Sequence, residues 1–256
     1  SQVNKMDTIL ITGGNGLIGK TLIEASLKKE RCVITTSRNK DKMLDDNPIF
    51  TQPENGELHV IEVDFMQPDA LSTIYSYLDS HKLNIHCIIH NARNVEFLKI
   101  EADTSINPGN FQNEFYLDVT FPYLLGNLIK KQSYNTLNNI IFISSMYGIV
   151  APNPSLYENF HAQSPIHYGV SKAAQIHLVK ELAVRYAPEI RVNCVSFGGI
   201  RGRASEAFIE KYRNLNPQGR MMEKEDVAGP IEFLISEASE NMTGQNLVID
   251  GGWTIW

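Results

Sequence analysis

Short apolar runs of four to six residues alternate along nearly the whole chain with longer segments whose apolar residues recur at helical spacing. The runs are Thr8–Thr12, Cys32–Thr36, Leu58–Val63, Ile85–His90, Asn139–Ser144, Arg191–Ser196 and Asn246–Ile249. Their Ile and Val residues fall on both parities, as they do in strands covered on both faces. Helix candidates lie between them at Leu17–Lys29, Asp69–His81, Asn110–Lys131, Ile166–Tyr186 and Glu223–Ser236. Strand–helix–strand order of this kind calls for parallel strands and right-handed crossovers. The expected fold is therefore α/β: a doubly wound parallel sheet of seven strands with helices on both faces. No low-complexity linker or internal repeat interrupts it, so the 256 residues read as one domain, 1–256.

Two stretches break the rhythm. Ala151–Pro165, with three prolines, and Gly198–Gly219, with only a weak helix at Ser205–Leu215, follow strands directly. Long segments after the carboxyl ends of parallel strands are where an open α/β sheet binds its ligand, so substrate loops are expected near 151–167 and 198–219. Composition narrows the partners. With 23 Lys plus Arg against 29 Asp plus Glu, the net charge is −6, and no basic block suggests a nucleic-acid surface. No apolar run approaches the ~20 residues of a membrane span. The opening Ser1–Met6 lacks the charged-then-apolar design of an export signal. Cys32, Cys87 and Cys194 sit in β-like runs and read as core thiols. The histidines, His59, His81, His86 and His90 among them, lack ligand spacing, so no metal is expected. The expected setting is a reducing cytoplasm, with no membrane and no nucleic acid.

The first strand runs into Thr12-Gly13-Gly14-Asn15-Gly16-Leu17-Ile18-Gly19, and a helix opens at once. Glycines there allow a tight turn and let a diphosphate approach the amides of the helix N-terminus. At the tip of the second strand stand Ser37, Arg38 and Lys40, with no carboxylate before Asp41. A carboxylate at that tip would bind the adenosine ribose of NAD, whereas a cation suits a 2′-phosphate. The reading favours NADP(H) over NAD(H), against the plainer one of a solvated basic turn. Tyr168 and Lys172 are four residues apart on one helical face. A neighbouring ammonium favours a phenolate and makes a tyrosine useful for proton transfer. Ser145, after a strand, offers a hydroxyl for a substrate oxygen opposite Tyr168.

These features together resemble the short-chain dehydrogenase/reductase family over nearly the whole chain. The resemblance is carried by TGGNGLIG at 12–19, Asp64, HNAR at 90–93, ISSMYG at 143–148, YGVSK at 168–172, RVNCVSFGGI at 191–200 and TGQNLVIDGG at 243–252. It implies a single Rossmann-type domain and an NAD(P)(H)-dependent oxidoreductase that interconverts an alcohol and a ketone by hydride transfer. Ser145, Tyr168 and Lys172 would be its catalytic trio, with Asp118 at the position of a relay asparagine. The implied cofactor-binding residues are Gly13, Asn15, Gly16, Leu17, Ile18, Ser37, Arg38, Phe65, Ala92, Gly198, Tyr168 and Lys172. Asp64 would join them at the adenine, Asn91 near the adenosine ribose and Ile200 beside the carboxamide.

Several positions depart from the family pattern. The glycine spacing is that of its longer members, which act on nucleotide sugars, while the length and the DGG ending match the shorter ones. Asn91-Ala92-Arg93 stands where Asn-Ala-Gly is usual, and Asp118 replaces the asparagine. The 23 residues from Ser145 to Tyr168 exceed the usual gap by the proline-rich loop. That loop resembles a subgroup tied to bacterial surface-sugar and nonulosonic-acid biosynthesis. Arg93, Arg201 and Arg203, near the strand tips, suit a phosphate or carboxylate on the substrate, with salt bridging as the plain alternative. Tyr157 and His161 are expected in a packed lid within reach of substrate, and His167 as a packing or capping group. The expected substrate is a small molecule, a sugar or anionic sugar derivative. A non-catalytic dinucleotide-binding sensor and a nucleotide-sugar epimerase or dehydratase are the alternatives. By resemblance the protein is a homodimer or homotetramer built through the long helices, with Trp253–Trp256 buried at such a contact.

Overall fold

The computed structural model describes residues 7–132, 134 and 136–256, so the Ser1–Met6 reading lies outside the described residues. The strands are β1 (Thr8–Ile11), β2 (Cys32–Ser37), β3 (Glu57–Glu62), β4 (Cys87–His90), β5 (Asn139–Ser145), β6 (Arg191–Phe197) and β7 (Asn246–Ile249). All pair in parallel, in the order β3-β2-β1-β4-β5-β6-β7. The order reverses between β1 and β4, which opens a crevice at their carboxyl ends.

The connecting helices are α1 (Leu17–Lys28), α2 (Lys40–Asp46), α3 (Ala70–Ser80), α4 (Pro108–Phe115), α5 (Phe121–Lys130), α6 (Phe160–Gln163), α7 (Ile166–Tyr186), α8 (Glu206–Leu215) and α9 (Ala228–Ile235). Strand alternation divides the sheet's side chains between two cores. Leu10, Ile88, Ile140, Phe142 and Val192 face α3, α5 and α7, whereas Ile9, Ile11, Ile89, Ile141 and Val195 face α1 and α9. This accounts for the double parity of Ile and Val. Among the described residues, no helix is long and apolar enough to cross a membrane.

A third, smaller cluster joins the segments near 151–167 and 198–219: Met146, Leu156, Ile209, Tyr212, Met221 and Trp253. Trp253 stacks on Tyr212 within the same chain, at 4.6 Å between ring centroids. Trp253 is thus buried within one chain, while Ile255 and Trp256 are exposed.

The helix expected over Asn110–Lys131 is divided by a π-helical turn, Tyr116–Thr120, between α4 and α5. The cause is legible in the sequence. Pro122, four residues after Asp118, has no N–H to give the Asp118 carbonyl. Gln175 Nε2, from α7, donates to that freed carbonyl at 3.1 Å. Two helices stand where the sequence pattern gives no helix candidate: α6, within the proline-rich stretch, and α2, capped by Asn39, whose side chain accepts from the Lys42 amide.

The contact that positions the site is between α7 and the turn Met146–Gly148 after β5. A Cβ at Gly148 would stand 2.8 Å from the Lys172 carbonyl carbon, and one at Gly169 would stand 2.8 Å from the Tyr147 carbonyl oxygen. Two missing side chains thus let helix and turn meet backbone to backbone, next to Ser145. Gly148→Ala should lower stability by about 1–3 kcal/mol through overpacking, measured by thermal unfolding. Gly16→Ala is the control, since a Cβ there meets nothing closer than 3.9 Å, and its melting temperature should stay within about a degree of the wild type.

Candidate active site

The glycine turn is tied to the β4 exit by a small set of bonds. Thr12 Oγ1 accepts from the amides of Asn91 and Ala92 at 3.0 and 3.1 Å, and Asn91 Nδ2 donates to the carbonyls of Thr12 and Gly13 at 3.2 Å each. Gly13 has φ +71°, and a Cβ on it would lie 2.6 Å from Ala92 Cα. Gly19 is equally committed, its Cβ position falling 2.3 Å from the Gly13 carbonyl oxygen. Only Gly16 opens onto free space, at the N-cap of α1, where no side chain caps the helix. The amides of Leu17 and Ile18 follow there, and the Asn15 Oδ1 atom beside them is buried without a donor. An uncapped helix start with an open glycine suits an anion such as a diphosphate. Gly202 approaches from the other side, its Cβ position 3.6 Å from Leu17 Cδ2, so the 201–203 segment borders the same turn.

At the β2 tip, Ser37 Oγ both donates to the Asn39 carbonyl at 2.9 Å and accepts its amide at 3.2 Å. Arg38 is exposed and forms no ion pair among the described residues. Sequence reasoning missed the carboxylate that stands there. Glu62, paired in register with Ser37, accepts the Lys40 amide at 2.8 Å. It comes from the neighbouring strand, which no reading of the Ser37–Lys40 segment could have seen. Asp64 Oδ1 accepts the Met66 amide at 2.9 Å. Phe65 stacks on Phe121 with 4.0 Å between centroids, so its ring belongs to the core.

Ser145 ends β5 and is buried. Its Oγ accepts the Tyr147 amide at 3.1 Å, which leaves the hydroxyl proton free to donate. Tyr168 is half-buried on the first turns of α7, and Lys172 Nζ lies 5.8 Å from the centroid of its ring. The Lys172 ammonium is buried and makes three long contacts: Ile143 carbonyl at 3.2 Å, Gln175 Oε1 at 3.3 Å and Asp118 Oδ1 at 3.5 Å. Burial works against its charge, but Asp118, Tyr168 and Glu114 outweigh it, and its pKa is raised.

Glu114, which sequence reasoning passed over, belongs to this site. It sits one helical turn before Asp118, and both are 1% exposed. The signal was present: a second carboxylate at i−4 on the face that carries Phe111, Leu117 and Phe121 inward. Burial, and then the charge of Asp118, push the Glu114 carboxyl up to about 8, with Lys172 and Arg93 pulling the other way.

The remaining candidates divide. Tyr157 is packed within the proline-rich loop: its hydroxyl meets that of Tyr147 at 3.0 Å, and its ring packs edge-on to Phe160 and to Phe208 of α8. His167 is fully buried and donates from Nε2 to the Phe97 carbonyl at 2.6 Å, which makes it a packing group. Gly198 packs against Asp250 and Tyr212, and Ile200 bridges to Met222. Arg93 and Arg203 are exposed without an ion pair among the described residues. Arg201 instead contacts Glu206 at 3.0 Å and Glu223 at 3.8 Å, the plain alternative for this cation.

At the opposite, amino ends of β2 and β3, Cys32, Glu57 and His59 bring ligand-type atoms within 4.8 Å of one another, a proximity created by strand register. The His59 nitrogens are taken up by Glu57 and Tyr77, and burial pushes the Cys32 thiol up to about 11. That corrects the absence of ligand spacing read for His59.

Residues 18–254 match a family model described as Enoyl-(Acyl carrier protein) reductase. The chain is 29% identical to the Post-translational flagellin modification protein A of Campylobacter coli, over 96% of this chain and 97% of that one. It is 28% identical to Sorbose reductase sou1 of Schizosaccharomyces pombe, over 97% and 96%. A crystal structure of a short chain dehydrogenase from Leptospira borgpetersenii with bound NAD+ superposes with a TM-score of 0.82 at 30% identity, covering 97% of this chain and 93% of that one. With its seven-stranded parallel sheet, its glycine turn and the turn after Ser145 packed on the helix that bears Tyr168 and Lys172, the chain belongs to the short-chain dehydrogenase/reductase family of oxidoreductases.

Proposed function

We propose that the protein uses a nicotinamide dinucleotide to interconvert an alcohol and a ketone on a sugar or an anionic sugar derivative. One observation carries the reading: Ser145, with a hydroxyl proton free to donate, adjoins the turn that packs directly on the helix bearing Tyr168 and Lys172. The residues that would hold the dinucleotide fit it. Gly16 and the uncapped amides after it suit the diphosphate, and Asp64, Asn91 and Ala92 suit the adenosine end. When bound, the dinucleotide supplies or accepts the hydride at the substrate carbon.

The other steps belong to this chain. In reduction, Ser145 Oγ–H donates a hydrogen bond to the carbonyl oxygen and stabilises the charge that grows there. Tyr168 gives its phenolic proton to the same oxygen, and in oxidation it takes that proton back. The Lys172 ammonium, beside the phenol, balances the phenolate left behind. Its contacts of 3.2 to 3.5 Å are loose enough for it to be shared with a ribose hydroxyl. Arg93 and Arg203, exposed and unpaired among the described residues, suit a phosphate or carboxylate on the substrate, with Tyr157 in the lid. The flagellin-modification and sorbose-reductase relatives support a carbohydrate substrate.

Arg38 supports NADP(H) as the preferred form, while Glu62 at the same tip and the NAD+ bound by the Leptospira relative make NAD(H) the competing one. Three buried free cysteines suit a cytoplasmic setting. Val170 and Val184, exposed on α7, and Tyr123, exposed on α5, suit a homodimer or homotetramer.

Tyr168→Phe should lower kcat by about 10²–10⁴-fold while dinucleotide affinity, followed by fluorescence titration, changes little; near-wild-type turnover on ketose and sugar-acid substrates would sink the role. Arg38→Ala should weaken NADP(H) binding by about tenfold, the size of one lost charged contact, and spare NAD(H). Equal losses for the two nucleotides would remove the NADP preference.

A further inference from the structure

Glu114 and Asp118 present the core with an electrostatic problem. Both carboxyls are 1% exposed, one turn apart where α4 enters the π-helical turn. Glu114 Oε2 and Asp118 Oδ2 are each buried with no hydrogen-bond donor. A buried carboxylate oxygen without a donor is among the most costly groups a core can hold. The charges do not balance either.

The groups that face the pair are few. From α7 come Lys172, Tyr168 and His167; from the segment after β4 come Arg93 and, on an exposed turn, Glu96. Of these, only Lys172 is recorded in contact with either carboxylate, at 3.5 Å from Asp118 Oδ1. His167 gives its Nε2 proton to Phe97, and Gln175 gives its amide proton to the Asp118 carbonyl and none to the carboxylate. Arg93 is exposed and acts only through its field. Two ionised carboxylates would therefore share one buried ammonium.

We propose that Glu114 and Asp118 hold one proton between them, and that Glu114 is a positioning residue whose proton keeps the Lys172 pocket charge-balanced. The shared proton gives each orphan oxygen a partner and leaves one carboxylate for one ammonium. Burial and the charge of Asp118 push Glu114 up to about 8, in keeping with a proton retained at neutral pH. Once it is lost, Lys172 faces two negative charges and is drawn more firmly to the π-turn, away from a share in the phenol and ribose. The two departures from the family pattern, Asp118 and Arg93, then belong to one electrostatic unit centred on Glu114. The bearing on turnover rests on the oxidoreductase reading above; the proton itself does not.

The test is a 13C titration of the side-chain carboxyls of the full chain labelled at Glu and Asp, from pH 5 to pH 10. One carboxyl should titrate near pH 8, vanish in Glu114→Gln, and move down by at least a unit in Asp118→Asn, which keeps the test valid if Glu114→Gln fails to fold. A set in which every carboxyl titrates below about pH 6 overturns the proposal. Linkage supplies an independent reading. Because the folded value lies above the ordinary 4.5, this contribution to stability is complete below about pH 4.5 and is lost as pH rises to about 8. Thermal unfolding of the wild type should show that decline, and Glu114→Gln should flatten it. In turnover, the pH profile of kcat/KM should bend near pH 8 in the wild type and not in Glu114→Gln. A carboxyl that titrates near 8 with no such bend overturns the positioning role, whereas an active Tyr168→Phe overturns the oxidoreductase reading and leaves the titration intact.

Discussion

A single buried ammonium organises the working edge of this protein. Lys172 extends from α7 to the carbonyl of Ile143 on β5, to Asp118 on the π-helical turn and to Gln175 on its own helix. A charge removed from water must be met by oppositely polarised atoms held at fixed places. That requirement binds strand, turn and helix into one unit and explains why the turn opens where it does. Pro122 frees the Asp118 carbonyl, Gln175 takes it up, and the carboxylate above it is left to face the lysine.

Around that unit the structure economises on side chains. Gly148 and Gly169 remove the atoms that would keep α7 from the turn after β5, Gly13 does the same between the glycine turn and the β4 exit, and Gly19 does so between α1 and that turn. Each glycine sits where two backbones must nearly touch. The proline-rich loop and α8 are held differently, by aromatic packing: Tyr212 on Trp253, and Tyr157 between Phe160 and Phe208. These contacts join the proline-rich loop, α8 and Trp253 into one cluster.

Much of this was legible before any coordinates. The seven strands, their parallel pairing and the glycine turn follow from periodicity and local spacing, and the structure agrees to within a residue or two at most boundaries. What escaped came from neighbours distant in sequence. Glu62 reaches the β2 tip only through the β2–β3 register, and Cys32 meets His59 for the same reason. Arg201, which the sequence leaves open to a substrate anion or a salt bridge, pairs with Glu206 and Glu223. Glu114 is legible as a second carboxylate four residues before Asp118, but only the burial of both makes the pair an electrostatic problem.

By itself the sequence determined the fold class and the glycine turn, because a period of two or of 3.6 residues and the conformational freedom of glycine are local properties. Only the tertiary structure decided which charges share a dielectric. Burial and separation set the proton affinity of Glu114, the confinement of Lys172 and the commitment of Arg201, and these depend on distances between elements that no local pattern encodes.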